Sequence, residues 1–364
     1  MGVAQRSRRW SVPVVAIAVV AGVGTLGPMV ADASPKLPDI TAQELLTKVQ
    51  TAKVDGLSGT VRSMADLGLP AIPGFKGSGN QILDLLSGEH TARVAFASPD
   101  KARVSLLDNM AERVWTTDGK AAWAYDSSKR EAVKLTVPDH SARPTKPQAP
   151  ESYDPQAVAK QFLDAIDPTT KVDVSGTEKV AGRDAYKLRL VPKTDTTTVG
   201  SVTLAIDSKT WVPLEVTVMP RTGSDPAAQL GFSSVSFDVP AASTFTFTPP
   251  KGVKVTEEKA PATRQVPTPV KPPKAEQKPS PSDNGPTVIG KGWDAVVAFR
   301  NVTTTGNGPV DQLLAKARTV EGSWGTGKIL TSKLVNALIT DDGRVLVGLV
   351  SPDTLLAAAP KAPR

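Results

Sequence analysis

The chain has 364 residues, 40% of them hydrophobic and 22% charged, a globular balance with room for one large domain or two ordinary ones. Cysteine is absent, which excludes disulfides, thiolate metal sites, a cysteine nucleophile and lipidation of an N-terminal cysteine. Only two histidines, His90 and His140, are present, so a histidine-rich metal site and most histidine acid–base chemistry are excluded in practice.

The formal net charge is +7, part of it at the very start of the chain. Arg6, Arg8 and Arg9 precede an apolar run from Val12 to Ala31, which ends in Ala31-Asp32-Ala33 before Ser34. That is the layout of a secretory signal over 1–33, with cleavage expected after Ala33 and retention as an anchor as the alternative. Cleavage removes three arginines and one aspartate and leaves +5, too mild a charge to single out a nucleic-acid partner. The rest of the chain is expected outside the cytoplasm, secreted or associated with the cell envelope.

Thr41 and Glu44 form a capping-box signal, and Ile40 with Leu45 a hydrophobic staple. Leu45, Leu46, Val49 and Ala52 then fall on one face, so 42–53 reads as an amphipathic helix. From Gly56 the apolar period shortens to two, predicting strands at 57–66, 89–97, 101–107, 111–117, 120–126 and 130–136. The insert 67–88 reads as a flap with one helical turn. Asp118-Gly119 is a hairpin signal. A two-residue loop there would place Val114 opposite Trp123 and Glu112 opposite Tyr125, with Trp115 beside Ala122 on the other face. Aromatic groups on both faces imply that both faces are covered, or that one lines a cavity.

After a proline-rich stretch, Asp154-Pro155 opens a helix over 154–167 with the stripe Val158, Ala159, Phe162, Leu163 and Ile166. Strands follow near 171–180, 184–192, 199–207, 212–219, 229–238 and 244–248. Residues 257–286 alternate proline with Lys, Glu, Thr and Ser and read as an extended, solvated linker. Beyond it, 287–364 reads as a small α+β module with a helix at 310–318, strands at 328–339 and 344–350, and a last helix opened by Ser351-Pro352.

Three blocks matter most: Gly182–Lys193, Val202–Val216 and Phe245–Val253. With Val114-Trp115 and Trp123-Ala124-Tyr125-Asp126, their order resembles the actinobacterial branch of the LolA/RseB-type superfamily over about residues 38–255. Asn336–Val345 and Val288–Trp293 resemble the tail module of the same proteins. The resemblance implies an α+β fold: a strongly curved, open antiparallel half-barrel over 34–256, closed by helices, with the small C-terminal α+β module behind the linker. It also implies an apolar cavity between sheet and helices that holds a lipid or the acyl chains of a lipoprotein. The alternative is an RseB-like envelope-stress sensor that binds an anti-sigma or other envelope protein. Phe96, Leu106, Trp123, Tyr125, Leu188, Leu204, Val216, Val158 and Phe162 are the cavity candidates, with ordinary core as the alternative for each. The expected partners are lipid or acyl chains, with an envelope protein and contact with a membrane surface left open; no cofactor, metal or nucleic acid is expected.

Rival chemistry is thin. Gly322-Ser323-Trp324-Gly325-Thr326-Gly327-Lys328-Ile329 nearly spells a phosphate-binding loop. Ile329, however, stands where Ser or Thr must hold magnesium, and a strand rather than a helix follows. No G-x-S-x-G elbow occurs. Asp108, Glu112, Asp118 and Asp126 fall in strand ends and turns rather than in an acid–base pair. Asp341-Asp342-Gly343 is too short for a calcium loop and reads as a hairpin turn. The chain is therefore expected to be a binding protein and not an enzyme.

Overall fold

The computed structural model describes residues 34–68, 88–108, 111–136, 168–259, 286–300, 314–315 and 317–363. The expected signal (1–33), most of the insert 67–88, the helix 154–167, most of the linker and most of the helix expected at 310–318 lie outside the described residues.

The first element is the helix the sequence announces, α1 (Ala42–Thr51). The Thr41 hydroxyl accepts from the Glu44 amide, and the Glu44 carboxylate accepts from the Thr41 amide. That carboxylate sits below its ordinary pKa because of the Thr41 backbone and hydroxyl bonds. Twelve strands follow: β1 (Gly56–Ala65), β2 (Gly88–Ala97), β3 (Lys101–Asp108), β4 (Ala111–Thr117), β5 (Ala121–Asp126), β6 (Glu131–Thr136), β7 (Thr170–Val180), β8 (Arg183–Pro192), β9 (Val199–Asp207), β10 (Pro213–Pro220), β11 (Ala228–Ser236) and β12 (Lys254–Lys259). They make one sheet in the order β12-β6-β5-β4-β3-β2-β1-β11-β10-β9-β8-β7. Every pairing is antiparallel except β12 with β6. The order ends at β12 and β7, so the sheet is not closed among the described residues. It is nonetheless strongly bent. β7 and β11 stand four positions apart, about 19 Å in a flat sheet, yet their Cα atoms come within 8 Å. There Val180, Ala185, Ala205 and Leu214 pack against Phe232, Val235 and Phe237. A bulge opposite Thr60 and Val61 helps to bend the pair β1–β11. Gly59 sits at this bend, where a Cβ would stand 2.3 Å from the Ser234 carbonyl.

Two local expectations are corrected here. The β4–β5 hairpin pairs Thr117 with Ala122, Thr116 with Trp123 and Val114 with Tyr125. Its loop has four residues, not two, because Asp118 Oδ1 accepts from both the Lys120 and Ala121 amides at 2.9 Å. The slip is by two, so the division of side chains between faces is unchanged. The strand expected at 244–248 is instead a strap with a 3-10 turn at Ala242–Phe245, and Phe245 is buried against Ala95 and Ala97.

The second sheet has six strands in the order β13-β14-β18-β17-β16-β15: β13 (Thr287–Ile289), β14 (Val296–Phe299), β15 (Arg318–Gly322), β16 (Gly325–Leu330), β17 (Asn336–Thr340) and β18 (Val345–Gly348). The single strand expected at 328–339 divides because the Ser332 hydroxyl captures the Val335 amide and turns the chain. The near phosphate-binding motif is the β15–β16 hairpin, with Trp324 buried in the core. The closing helix, α2 (Pro352–Ala358), is capped by Ser351 and covers one sheet face through Leu355 and Ala358. Arg344 is buried beneath it, donating to the Trp324, Ala359 and Ala362 carbonyls and pairing with Asp342.

The two sheets are docked. Thr197 forms an antiparallel bridge with Val350. The Thr198 amide donates to the Leu349 carbonyl at 3.0 Å and the Ser351 amide to the Thr196 carbonyl at 2.6 Å. Thr198 and Thr196 hydroxyls bond the Leu334 carbonyl and Asp294, and Lys333 pairs with Asp66. Trp293 Nε1 donates to Thr170 Oγ1 at 2.7 Å.

Leu45 is fully buried between α1 and the sheet. Leu45→Ala is expected to cost about 3 kcal/mol, read as a lower midpoint in urea unfolding with an unchanged slope. Thr41→Ala is expected to cost about 1 kcal/mol.

Candidate functional site

Cross-strand register sorts every strand residue onto one of two faces. The face that carries α1, called inner here, contains the row Val174–Leu188–Leu204–Val216–Leu230, each residue directly opposite the next. Leu188 is buried, and with Tyr186 and Ile206 it packs beneath Leu45. Leu37 and Ile40 join this cluster, held in place because Tyr186 Oη donates to the Pro38 carbonyl and Thr177 Oγ1 to the Pro35 carbonyl. Tyr186 also stacks on Trp211 at 6.0 Å, with Lys48 over the Trp211 ring. The inner face over the middle of β7–β9 is therefore filled by the chain's own helix and the segment before it.

The same face continues across β2–β6 in two further rows: Val94–Val104–Trp115–Ala124–Val133, and Phe96–Ala102–Thr117–Ala122–Leu135. Nine of these ten side chains are half-buried or exposed, and Trp115 is 42% exposed. Five strands span about 19 Å; at the β2–β3 end Val94, Phe96 and Val104 pack with Leu57, Val61, Phe232 and Phe237, and from there to β6 the floor is apolar, with the Trp115 indole exposed near its middle. Its end is charged: Leu106, buried, is followed across the sheet by Arg113, Asp126 and Glu131. Asp126 lies below the usual carboxylate range because bonds from Ser128 and Lys129 outweigh the effect of burial.

The candidate residues thus divide. Phe96, Leu106, Leu188, Leu204 and Val216 share the inner face. Leu188 and Leu204 are core under α1, and Phe96 borders the open floor. Trp123 and Tyr125 lie on the outer face, where Phe247 of the strap packs on both rings at 5.5 and 5.3 Å. The strap is fixed by Thr116 Oγ1 donating to the Phe245 carbonyl at 3.0 Å. Val158 and Phe162 lie outside the described residues. Trp115, Val104, Val133 and Leu135 were not among the candidates. The parity that sets Trp115 against Ala122 already marked that tryptophan as facing away from Trp123.

The outer face over β7–β9 is mixed: Val180, Ala185 and Ala205 are buried beneath Phe232, Val235 and Phe237, and charged pairs flank them. Asp173 pairs with Arg189 and sits below its ordinary pKa for that reason, and Lys187 pairs with Glu178. Burial pushes Glu178 up in spite of Lys187. A polar notch of about 130 Å³ lies among Lys179, Arg183, Asp184, Asp207 and Lys209, below the roughly 300 Å³ at which small-molecule sites begin. Its main charges are already paired, Lys179 with Asp184 and Arg183 with Asp207. Burial acts to raise the Asp207 pKa, but the Arg183 guanidinium and the Thr210 amide and hydroxyl outweigh it and hold the carboxyl below its ordinary value. Among the described residues no group of three or more His, Asp or Glu could hold a metal, and no helix is long and apolar enough to cross a membrane.

No family model matches the chain, and no curated protein matches it. Among solved structures it is similar to MucB (16% identity, TM-score 0.41, covering 88% of this chain and 96% of that one). The MucA/MucB complex of Pseudomonas aeruginosa matches at 15% identity and TM-score 0.43, covering 87% and 96%. A LolA superfamily protein from Nitrosomonas europaea matches at 13% identity and TM-score 0.24, covering 57% and 99%.

Asp207 has a depressed folded-state pKa, so its contribution is present above the unfolded value near 3.8 and is lost as pH falls through the folded value. Asp207→Asn is expected to lower stability by about 2 kcal/mol at pH 7. Thermal melts repeated at falling pH should show the difference from the wild type closing below pH 3.8.

Proposed function

We propose that this chain is an exported, non-enzymatic binding protein that holds a lipid, or the acyl chains of a lipoprotein, against the inner face of β2–β6. The observation that carries this reading is the apolar floor with Trp115 exposed at its middle. Methylene groups laid on such a floor leave water at about 0.8 kcal/mol each, so a single long chain supplies useful affinity without any specific polar contact. The aromatic ring adds a broad, rigid contact surface. Phe96, Val104, Val133 and Leu135 are the neighbours that would share the contact. Leu188, Leu204 and Val216 support the face from the side that α1 occupies. An exported location follows from the signal read at 1–33.

A second reading, an RseB-like regulatory module with an envelope-protein partner, is favoured by one feature of the small module. Of the six large apolar side chains that are exposed among the described residues, Val288, Phe299 and Leu349 belong to this module. Grouped exposure of that kind suits a protein partner better than a lipid tail.

The two tryptophans of the β4–β5 hairpin give the test. Trp115→Ala is expected to weaken binding of dansyl-undecanoic acid at least tenfold, about 1.4 kcal/mol, with little change in melting temperature. Trp123→Ala, on the outer face, is expected to lower the melting temperature and leave affinity unchanged. Equal affinities for wild type and Trp115→Ala would remove the floor from the account.

A further inference from the structure

The apolar part of the floor is a strip, and its shape limits how an acyl chain can lie on it. Along the strands it is two rows deep. One row is Val104–Trp115–Ala124–Val133 and the other Ala102–Thr117–Ala122–Leu135. Neighbouring rows on one face stand about 7 Å apart. Both flanks of this pair of rows are polar. On one side the next positions are Arg113, Asp126 and Glu131. On the other lies the β4–β5 turn, where Asp118 accepts from the Lys120 and Ala121 amides and the Asp100 carboxylate stands against Gly119. Across the strands the strip is longer. From β3 to β12 is four strand spacings, about 19 Å.

The two ends of the strip differ. At β2–β3 it runs into the chain's own core, where Val94, Phe96 and Val104 pack with Leu57, Val61, Phe232 and Phe237. At the other end β12, the last strand of the sheet, carries the rows past β6: Thr256 lies opposite Val133, Glu258 opposite Leu135 and Lys254 opposite Glu131. Every residue from Lys254 to Glu258 is exposed. The charges there are of both signs, and two of them are paired across the sheet, Lys254 with Glu131 and Glu257 with Lys134. Pairs so open to water hold their partners weakly. The closed end is apolar, and the open end offers a ligand water rather than one fixed charge.

We infer that a single acyl chain lies across the strands, with its methyl end against Phe96 and Val104, its middle on Trp115 and its polar head beyond β12 in water. This rests on the acyl-binding reading of the inner face. A chain laid along the strands would leave the apolar rows after about 7 Å and press methylenes onto Arg113 and Asp126, a poor exchange for water. Two rows give room for one chain, and a second beside it would lie on the polar flanks. The length of the strip is close to that of an extended palmitoyl chain. The site therefore selects by chain, one at a time and up to about that length, and is indifferent to the head group. Its ligand class is the single-chain lipid, whether free acid, monoacylglycerol or lysophospholipid.

Brominated chains report the orientation, because bromine quenches tryptophan only at close range. In a Trp115→Phe background, Phe96→Trp places a reporter at the closed end and Val133→Trp one beside the open end. Two probes are compared, palmitic acid brominated on its terminal carbon and palmitic acid brominated on the carbon next to the carboxyl. The expected result is at least twofold stronger quenching of Phe96→Trp by the terminal bromide, and of Val133→Trp by the other, each measured against the Trp115→Phe parent. Equal quenching by the two probes at both reporters, or the reverse preference, would overturn the crosswise chain and leave the acyl-binding reading standing. Failure of wild type to bind either probe would overturn that reading and the inference with it. Wild type alone supplies a second readout, displacement of dansyl-undecanoic acid. Affinity is expected to rise at least tenfold from decanoic to palmitic acid and less than twofold from palmitic to behenic acid. It is expected to differ less than threefold among palmitic acid, monopalmitoylglycerol and palmitoyl lysophosphatidylcholine. A further tenfold gain beyond palmitic acid, or a tenfold preference among the heads, counts against a chain that ends at β12.

Discussion

A twelve-stranded antiparallel sheet has to hide a long apolar face from water, and the rest of this molecule is arranged around how that is done. Period-two alternation sends every second side chain to the same side, so one face collects Val, Leu and Phe from β1 to β11. No single helix covers such a width, and three covers share it. Helix α1 and the segment before it lie over β7–β9, Phe232 and Phe237 pack over Val61 and Val94 on β1 and β2, and the small module takes the end of β9–β11. What remains among the described residues is the floor of β2–β6, where Trp115 is left exposed.

The outer face shows the opposite logic. Over β7–β9 it carries exposed pairs such as Lys179–Asp184 that add little to stability, beside the buried Asp207 held by Arg183 and the apolar cluster of Ala185 and Ala205. On β5 it holds Trp123 and Tyr125, on which Phe247 of the strap packs, while Phe245 covers Ala95 and Ala97 of β2. Aromatic residues on both sides of one hairpin are thus explained twice over: Trp123 and Tyr125 are half-buried under Phe247, and Trp115 is exposed. The same residue type plays two different roles because one side of the sheet is closed by local chain and the other is not.

Much of this was legible beforehand, for physical reasons that can be named. Helix α1 is written in adjacent residues, since Thr41, Glu44, Ile40 and Leu45 act within two turns. The strands follow from alternation, and the faces survived an error of register because a slip of two preserves parity. Features set by distant contacts were not legible. The strap at 242–248 alternates like a strand, yet it serves as a cover, since Phe245 meets Ala95 and Ala97 from far along the chain. The break at Ser332 depends on one hydroxyl capturing an amide. Trp123 and Tyr125 were grouped with Phe96 and Leu188 because residue type suggested a common lining, whereas only pairing register shows which side each takes. The docking of the small module through Thr194–Thr198 left no local signal, since a threonine-rich turn between strands looks the same whether or not it meets a partner.

The most direct measurement is native mass spectrometry of the chain purified from a lipid-containing host, followed by organic extraction of whatever it carries. The account predicts a lipid or acylated molecule in near one-to-one amount, lost when Trp115 is replaced and kept when Trp123 is. A wild-type chain that emerges lipid-free, and stays so after incubation with phospholipid vesicles, would contradict it.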